Sequence, residues 1–380
     1  MKLGFFYFID RLIGSAGKFF LLLFLPRKSG NLPEKVKHIV IFKFLGGGSL
    51  TLAAPALLAL KEHFPEAETI LLTTPGICGN AKLLNIFDRI EVFSPFKPFT
   101  ACKTFFKLKK RVSSPENLVI DLELYSRFSH AVSAWTASKC FSTGLAMPEE
   151  KHFWDKVVRF NKDLPMYRHY DRLAILCGGK VSSMAVQNFY RNHKMPENRI
   201  VIAPFCSNLS LRRKWETGKF AALLDELLSI HPELTALIIG AEENAAEAEI
   251  LCSMLSKEIA GKVESWCGKA DFSTAFEAIR RSKLFIGVDS APLHLARLSA
   301  VPAVSIWGAT VPEHLTREFE NYPEVMISAG LSCSPCVHRK TIRCPLGKSC
   351  TASVEVEQVF QAAKALIENK ITEKVREYKK

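Results

Sequence analysis

The feature that most constrains this chain is a twice-repeated alternation of short apolar runs and amphipathic stretches. In the first half the runs fall at 38–43 (HIVIFK), 69–73 (TILLT) and 118–122 (LVIDL), with helical patterns at about 50–63, 78–86 and 101–112 between them. In the second half they fall at 199–203, 235–239, 284–288 and 301–306, with helical patterns near 217–231, 242–257, 272–281 and 290–299. Continuous apolar runs separated by amphipathic crossovers read as buried parallel strands. Two successive blocks joined through an irregular stretch near 178–198 therefore predict an α/β protein with two doubly wound domains facing a cleft. The 380 residues suit two domains. A further helix is expected over 353–369, followed by a charged tail. The expected division is 1–30 as a separate segment, 31–190 and 191–352 as the two domains, and 353–380 as terminal helix and tail.

Segment 1–30 is set apart by its chemistry. Its unbroken apolar run, 19–25, is far shorter than the roughly 20 residues a spanning helix needs. No small-residue cleavage site follows that run, so a removable signal peptide is not expected. Lys2, Arg11, Lys18, Arg27 and Lys28 against the single Asp10 leave it basic and rich in aromatics. That pairing predicts a helix lying in the interface of an anionic membrane, the alternative being a helix docked on the domain itself. Lys+Arg minus Asp+Glu is 51 − 38 = +13, so an anionic partner is expected. The stretch 97–111 concentrates basic residues without an acid and interleaves Phe99, Phe105 and Phe106. No nucleic-acid motif accompanies it, so a phosphorylated lipid or membrane surface is expected there rather than nucleic acid; a solvated helix face is the plainer alternative.

Three loops at predicted strand ends can carry chemistry. In 284–310 (LFIGVDSAPLHLARLSAVPAVSIWGAT), Asp289 and Ser290 follow a strand, Ser290 can cap the next helix, and His294 lies about one turn on. A helix start at a strand's carboxyl end suits an anion, because unpaired N–H groups point outward. Gly308, Ala309 and Thr310 close the next strand on the same rim. In 203–215 (APFCSNLSLRRKW), Ser207 supplies a hydroxyl and Arg212, Arg213 and Lys214 supply cations that suit a diphosphate. After the next strand, Glu242 and Glu243 stand where an acidic residue takes ribose hydroxyls, or where it complements a helix dipole. In 43–55 (KFLGGGSLTLAAP), Gly46, Gly47 and Gly48 let backbone approach a ligand, although the loop matches neither a Walker A sequence nor G-x-G-x-x-G.

Together these residues resemble glycosyltransferase family nine, the inverting heptosyltransferases of lipopolysaccharide synthesis, from about His38 to Asn369. The resemblance rests on Gly287 through His294, on Trp307 through Thr310, and on Arg213, Lys214 and Trp215. The strand 118–122 and the Pro55, Ala56, Leu57 helix with Phe64 and Pro65 add to it. It implies a GT-B fold of two Rossmann-like domains, with the donor, a nucleotide-diphosphate sugar such as ADP-heptose, in the C-terminal half. Ser207, Arg213 and Lys214 would then lie near the donor phosphates and Glu243 near the ribose. Asp289, Ser290, His294 and Thr310 would complete the donor site. The acceptor would be a phosphorylated, lipid-linked glycan of the lipopolysaccharide core, and the enzyme cytoplasmic, peripheral on the inner face of a bacterial inner membrane. No cofactor is expected to be required, since cations and helix N-termini can stabilise the leaving diphosphate without a catalytic metal.

Two positions depart from the family. Its aspartate base is replaced by Ser49, which cannot take a proton near neutral pH unaided. Glu123 and Asp121 are the candidates for a replacement base, Glu123 preferred; a catalytically inactive, donor-binding homologue or scaffold is the other reading. Ala291 stands where glycine is usual. Separately, Cys333, Cys336, Cys344 and Cys350 form C-x2-C-x7-C-x5-C, which fits a structural zinc or an iron–sulfur cluster, or else free thiols.

Overall fold

A computed structural model describes Asp10 and residues 14–17, 30–192, 195–206, 211–335, 350–371 and 374–378. The chain divides into two units, Met1–Ser182 and Ser183–Lys380. The first carries six parallel strands, β1 (His38–Phe42), β2 (Glu68–Thr73), β3 (Arg89–Val92), β4 (Asn117–Asp121), β5 (Phe141–Ala146) and β6 (Lys156–Arg159), in the order β3-β2-β1-β4-β5-β6. Helices α1 (Gly47–His63), α2 (Pro75–Leu84), α3 (Pro98–Arg111), α4 (Arg127–Thr136) and α5 (Met166–Leu176) cross over between or pack on them. Helix α1 is buried over every residue from Leu50 to Leu60, with no polar face. Such a helix is core rather than surface. Its lone Pro55 marks no break in the helix.

The second unit repeats the plan. Its strands are β7 (Glu197–Ala203), β8 (Thr235–Ile238), β9 (Val263–Ser265), β10 (Ser282–Val288), β11 (Ala303–Trp307), β12 (Glu324–Ser328) and β13 (Lys374–Tyr378). They run parallel in the order β13-β12-β11-β10-β7-β8-β9. The principal helices are α6 (Ser183–Tyr190), α7 (Thr217–Ile230), α8 (Ala245–Ser253), α9 (Phe272–Arg280), α10 (Ala291–Leu298) and α11 (Val356–Ile367). In both sheets the chain starts in the middle, builds one way for three strands, then returns to extend the other side. The order reverses between β1 and β4 and again between β7 and β10. At such switch points the loops leaving the carboxyl ends diverge and open a crevice for ligands.

Two expected boundaries move. The division falls after Ser182 rather than at 190, because α6 belongs with the second unit: Gln187 Nε2 donates to Arg297 O at 3.3 Å and Arg280 Nε donates to Tyr190 O at 2.8 Å. The terminal helix is not a separate piece. Val359, Ala362, Ala363, Leu366 and Ile367 of α11 are buried in the second unit's core, and β13 pairs with β12.

The described part of the N-terminal segment docks on the first unit. Asp10 is buried, and its carboxylate accepts from Ser126 Oγ at 2.6 Å, Phe128 N at 3.1 Å and Arg127 N at 3.2 Å. A carboxylate at the start of α4 satisfies orphan amides and complements the helix dipole. Gly14 abuts Arg127 and Phe128 so closely that no Cβ would fit, and Gly17 faces Ala131. Among the described residues no helix is long and apolar enough to cross a membrane.

Candidate functional site

In the second unit five of the residues singled out by sequence, Arg213, Asp289, Ser290, His294 and Thr310, converge on the switch point. Asp289 follows β10, is 3% exposed, and accepts from Thr310 Oγ1 at 2.8 Å through Oδ2. Thr310 comes from the turn after β11, where Gly308 packs so tightly that a Cβ would lie 2.7 Å from Thr351 Cγ2 and 2.9 Å from Cys350 Cβ. Arg213, from the loop after β7, donates Nη1 to Asp289 O at 2.8 Å and lies 3.5 Å from Asp289 Oδ2. His294 Nε2 stands 3.6 Å from Asp289 Oδ1. Burial alone would raise the Asp289 pKa, but His294, Arg213 and Thr310 together hold it below the usual carboxylate value.

Two polar groups beside this node have no hydrogen-bond partner among the described residues. Ser290 occupies the N-cap of α10 as expected, yet its Oγ makes no capping bond. It is buried without a hydrogen-bond partner among the described residues, and so is His294 Nδ1. A buried hydroxyl and ring nitrogen left unpaired carry a desolvation penalty of about 1–3 kcal/mol each, which a ligand can relieve. Both sit at or within one turn of a helix start, where the backbone also favours an anion.

The remaining donor candidates fare differently. Lys214 is ion-paired with Glu247 Oε2 at 2.5 Å, and Thr217 Oγ1 also donates to Glu247, so its ammonium braces α8. Glu243 is exposed in the short helical turn leading into α8. Ser207 lies outside the described residues. Of the four cysteines, Cys350 is buried under Gly308 and Cys333 is half-buried, while Cys336 and Cys344 lie outside the described residues. Among the described residues no three His, Cys, Asp or Glu side chains gather as a metal set.

The first unit's switch point is built around Glu123, just past the end of β4. It is 5% exposed, and its Oε1 accepts from Phe44 N at 2.7 Å, Leu45 N at 2.8 Å and Lys43 Nζ at 3.0 Å. One carboxylate oxygen thus anchors the strand end that leads into the Gly-rich loop, leaving Oε2 without a hydrogen-bond partner among the described residues. Burial works against charge on Lys43, but Glu123, then Tyr170 and Asp121, outweigh it and the pKa is raised. Gly46 adopts φ +80, the left-handed region open to glycine. Gly47 lies against the Asn80 amide, where a Cβ would meet Oδ1 at 2.5 Å. Ser49 Oγ donates to Gly46 O at 2.7 Å and lies beside the buried Tyr170 of α5.

Asp121 is enclosed instead. It is fully buried and accepts from Ser129 Oγ at 3.0 Å, Ser133 Oγ at 2.7 Å and Glu123 N at 2.9 Å, which ties β4 to α4. Burial pushes its pKa up to about 6, against the opposing influence of His130 and Ser133. A folded value above the unfolded 3.8 means that protonation favours the folded state. This contribution is full below about pH 4 and is lost as the pH rises through 6, a change of roughly 3 kcal/mol. Urea titrations of wild type and Asp121→Asn should show that component of the pH slope in the wild type alone; equal slopes would count against it.

Lys43 and Tyr170 were not singled out from the sequence. Lys43 left a signal, as the one charge closing an apolar strand. Tyr170 left none, because nothing in a helix at 166–176 marks which tyrosine turns toward Ser49.

Residues 178–346 match the family model described as glycosyltransferase family 9 (heptosyltransferase). Lipooligosaccharide heptosyltransferase 2 of Campylobacter jejuni is 25% identical over 339 residues, 85% of this chain and 96% of that protein. The crystal structure of a family 9 glycosyl transferase from Veillonella parvula superposes with a TM-score of 0.68 at 16% identity, over 90% of this chain and all of that one (100%). ADP-heptose lipopolysaccharide heptosyltransferase II of Escherichia coli superposes at 0.63 with 15% identity, over 88% of this chain and 99% of that one. These structural likenesses show the GT-B fold.

Proposed function

We infer that this chain, a glycosyltransferase of the heptosyltransferase-like family 9 type, moves a heptose from ADP-heptose to a lipopolysaccharide-core or related lipid-linked acceptor, inverting the anomeric centre. The observation that carries this reading is the pair of unpartnered groups, Ser290 Oγ and His294 Nδ1, at a helix start beside the Arg213–Asp289–Thr310 node. In the proposed reaction the donor diphosphate lies on the amides of α10 and the Ser290 hydroxyl, with His294 and Arg213 facing its charge. The acceptor oxygen attacks the anomeric carbon as the bond to the diphosphate breaks, and the nucleotide leaves with that electron pair. Preorganised donors and cations stabilise the leaving group, and no catalytic metal enters the step.

The first unit supplies the acceptor side, with Glu123 as the base that takes the acceptor's hydroxyl proton. Three donors on Oε1 fix the carboxylate, and Oε2 carries the lone pair for the proton. Peripheral attachment to the inner face of a bacterial inner membrane belongs to the same proposal.

Calorimetric titration with ADP-heptose, followed by measurement of ADP release with and without lipopolysaccharide-core acceptor, tests the reading. Binding and acceptor-dependent release are expected. Absence of binding overturns the donor assignment. Binding without release would favour the second reading, an inactive donor-binding homologue, for which the observation is Ser49 turned back onto Gly46 O where the family carries its aspartate.

A further inference from the structure

A groove of about 310 Å3 lies between α3 and α4 of the first unit, away from the switch point and used by none of the chemistry above. Phe106 and Trp135 line it, edge to face with centroids 5.1 Å apart. Lys109 Nζ sits 4.0 Å from the Trp135 ring centroid and donates to Trp135 O at 2.8 Å. Lys110 and Lys139, both exposed, complete its cationic lining. Thr136 lines it as well, and its Oγ1 is buried without a partner among the described residues.

The surface beside the groove is unusual. Helix α3 packs inward through Ala101, Phe105 and Leu108, while Phe99 and Phe106, seven residues apart on the outer face, are 92% and 64% exposed. Lys103 and Lys107 flank them on a helix that has no acidic residue. Arg111 does not add to this charge, since it pairs with Glu68. Exposed phenylalanines in a lysine field suit the boundary between headgroups and acyl chains, where apolar rings and cations are both satisfied. A nucleic acid would need open aromatic faces for stacking, and here Lys109 covers the face of Trp135 while Phe106 meets it.

We propose that the groove binds the phosphate headgroup of an anionic phospholipid at a bilayer surface, with Phe99 and Phe106 entering the interface beside it. The site deepens the peripheral-membrane part of the proposed function and does not depend on the donor assignment. Lys110 and Lys139 neutralise the phosphate, and the Phe106–Trp135 pair forms an apolar wall for the glycerol backbone.

The test is co-sedimentation of the full chain with vesicles of phosphatidylcholine alone and with one third phosphatidylglycerol. The doubly substituted Lys110→Glu/Lys139→Glu protein and Phe99→Ser are compared with wild type. Phe99 is so exposed that its replacement cannot disturb packing. Each lysine near an anionic surface contributes about fivefold in partitioning, so the double lysine variant should bind phosphatidylglycerol vesicles at least ~20-fold more weakly, and Phe99→Ser should bind them measurably less well. Equal binding by wild type and variants overturns the proposal. So does equal binding to both vesicle types, or a lysine-dependent affinity for an RNA oligonucleotide in place of vesicles. ADP-heptose titration of the same preparations separates the two readings: vesicle binding that follows the lysines in a chain without donor affinity removes the transferase proposal and leaves the lipid site standing.

Discussion

Glu123→Gln is expected to lower turnover by about 10²-fold or more while ADP-heptose binding survives. The amide keeps an acceptor oxygen for Phe44 N and Leu45 N, so the loop stays anchored, but it cannot take a proton. Glu123→Ala should add a second defect. It leaves the Lys43 ammonium buried without its counterion and two loop amides without an acceptor. Breaking one side of a buried pair costs about 3–5 kcal/mol. Urea unfolding and acceptor-dependent ADP release on both variants separate the roles. A base predicts a folded glutamine variant with little turnover. A pure anchor predicts a glutamine variant close to wild type in rate, and that outcome removes Glu123 from the chemistry.

The second large effect is expected at Asp289. Replacement by alanine strands two neighbours, Arg213 and His294, that its carboxylate holds in place. Breaking a buried ion pair by removing one partner costs about 3–5 kcal/mol, and with Arg213 and His294 no longer held in place ADP-heptose affinity should fall by tenfold or more. Asp289→Asn keeps the shape and an acceptor for Thr310, and should lose affinity by less. The carboxyl's lowered pKa also sets a pH signature. Its contribution to stability is present above the unfolded value of 3.8 and is lost as the pH falls through the depressed folded value. Wild-type stability should therefore decline in strong acid by an increment that Asp289→Asn lacks. Unchanged calorimetric affinity in both variants would take Asp289 out of the donor site.

The strand-end positions of Asp289, Ser290, His294 and Thr310 in the second unit were legible, since those residues follow mostly apolar runs, and such strands announce where their carboxyl ends lie. Strands that bury polar groups were not legible. β12 carries Glu324, fully buried against Arg297 at 3.0 Å, and β5 carries Ser142, Thr143 and Gly144. Hydropathy reads those residues as loop, whereas the structure gives Ser142 a partner in Asp155 and lays the Trp154 ring against Gly144. β3 and β6 are short edge strands with charged residues, as sheet edges often are. The roles of the two carboxylates near β4 were half legible. Spacing put both Asp121 and Glu123 at a strand end, but only packing shows that hydroxyls and an amide enclose Asp121 while Glu123 keeps one oxygen unengaged.

The Asp10 clamp has a practical consequence for anyone trimming this chain. A start site moved past the first dozen residues, chosen to discard a greasy leader, would remove the carboxylate that Ser126, Arg127 and Phe128 donate to. What looks like a dispensable extension is the lid on the first turn of α4, the helix that also carries Ser129 and Ser133 to Asp121. A shortened protein would carry that loss inward to the strand end where Glu123 begins.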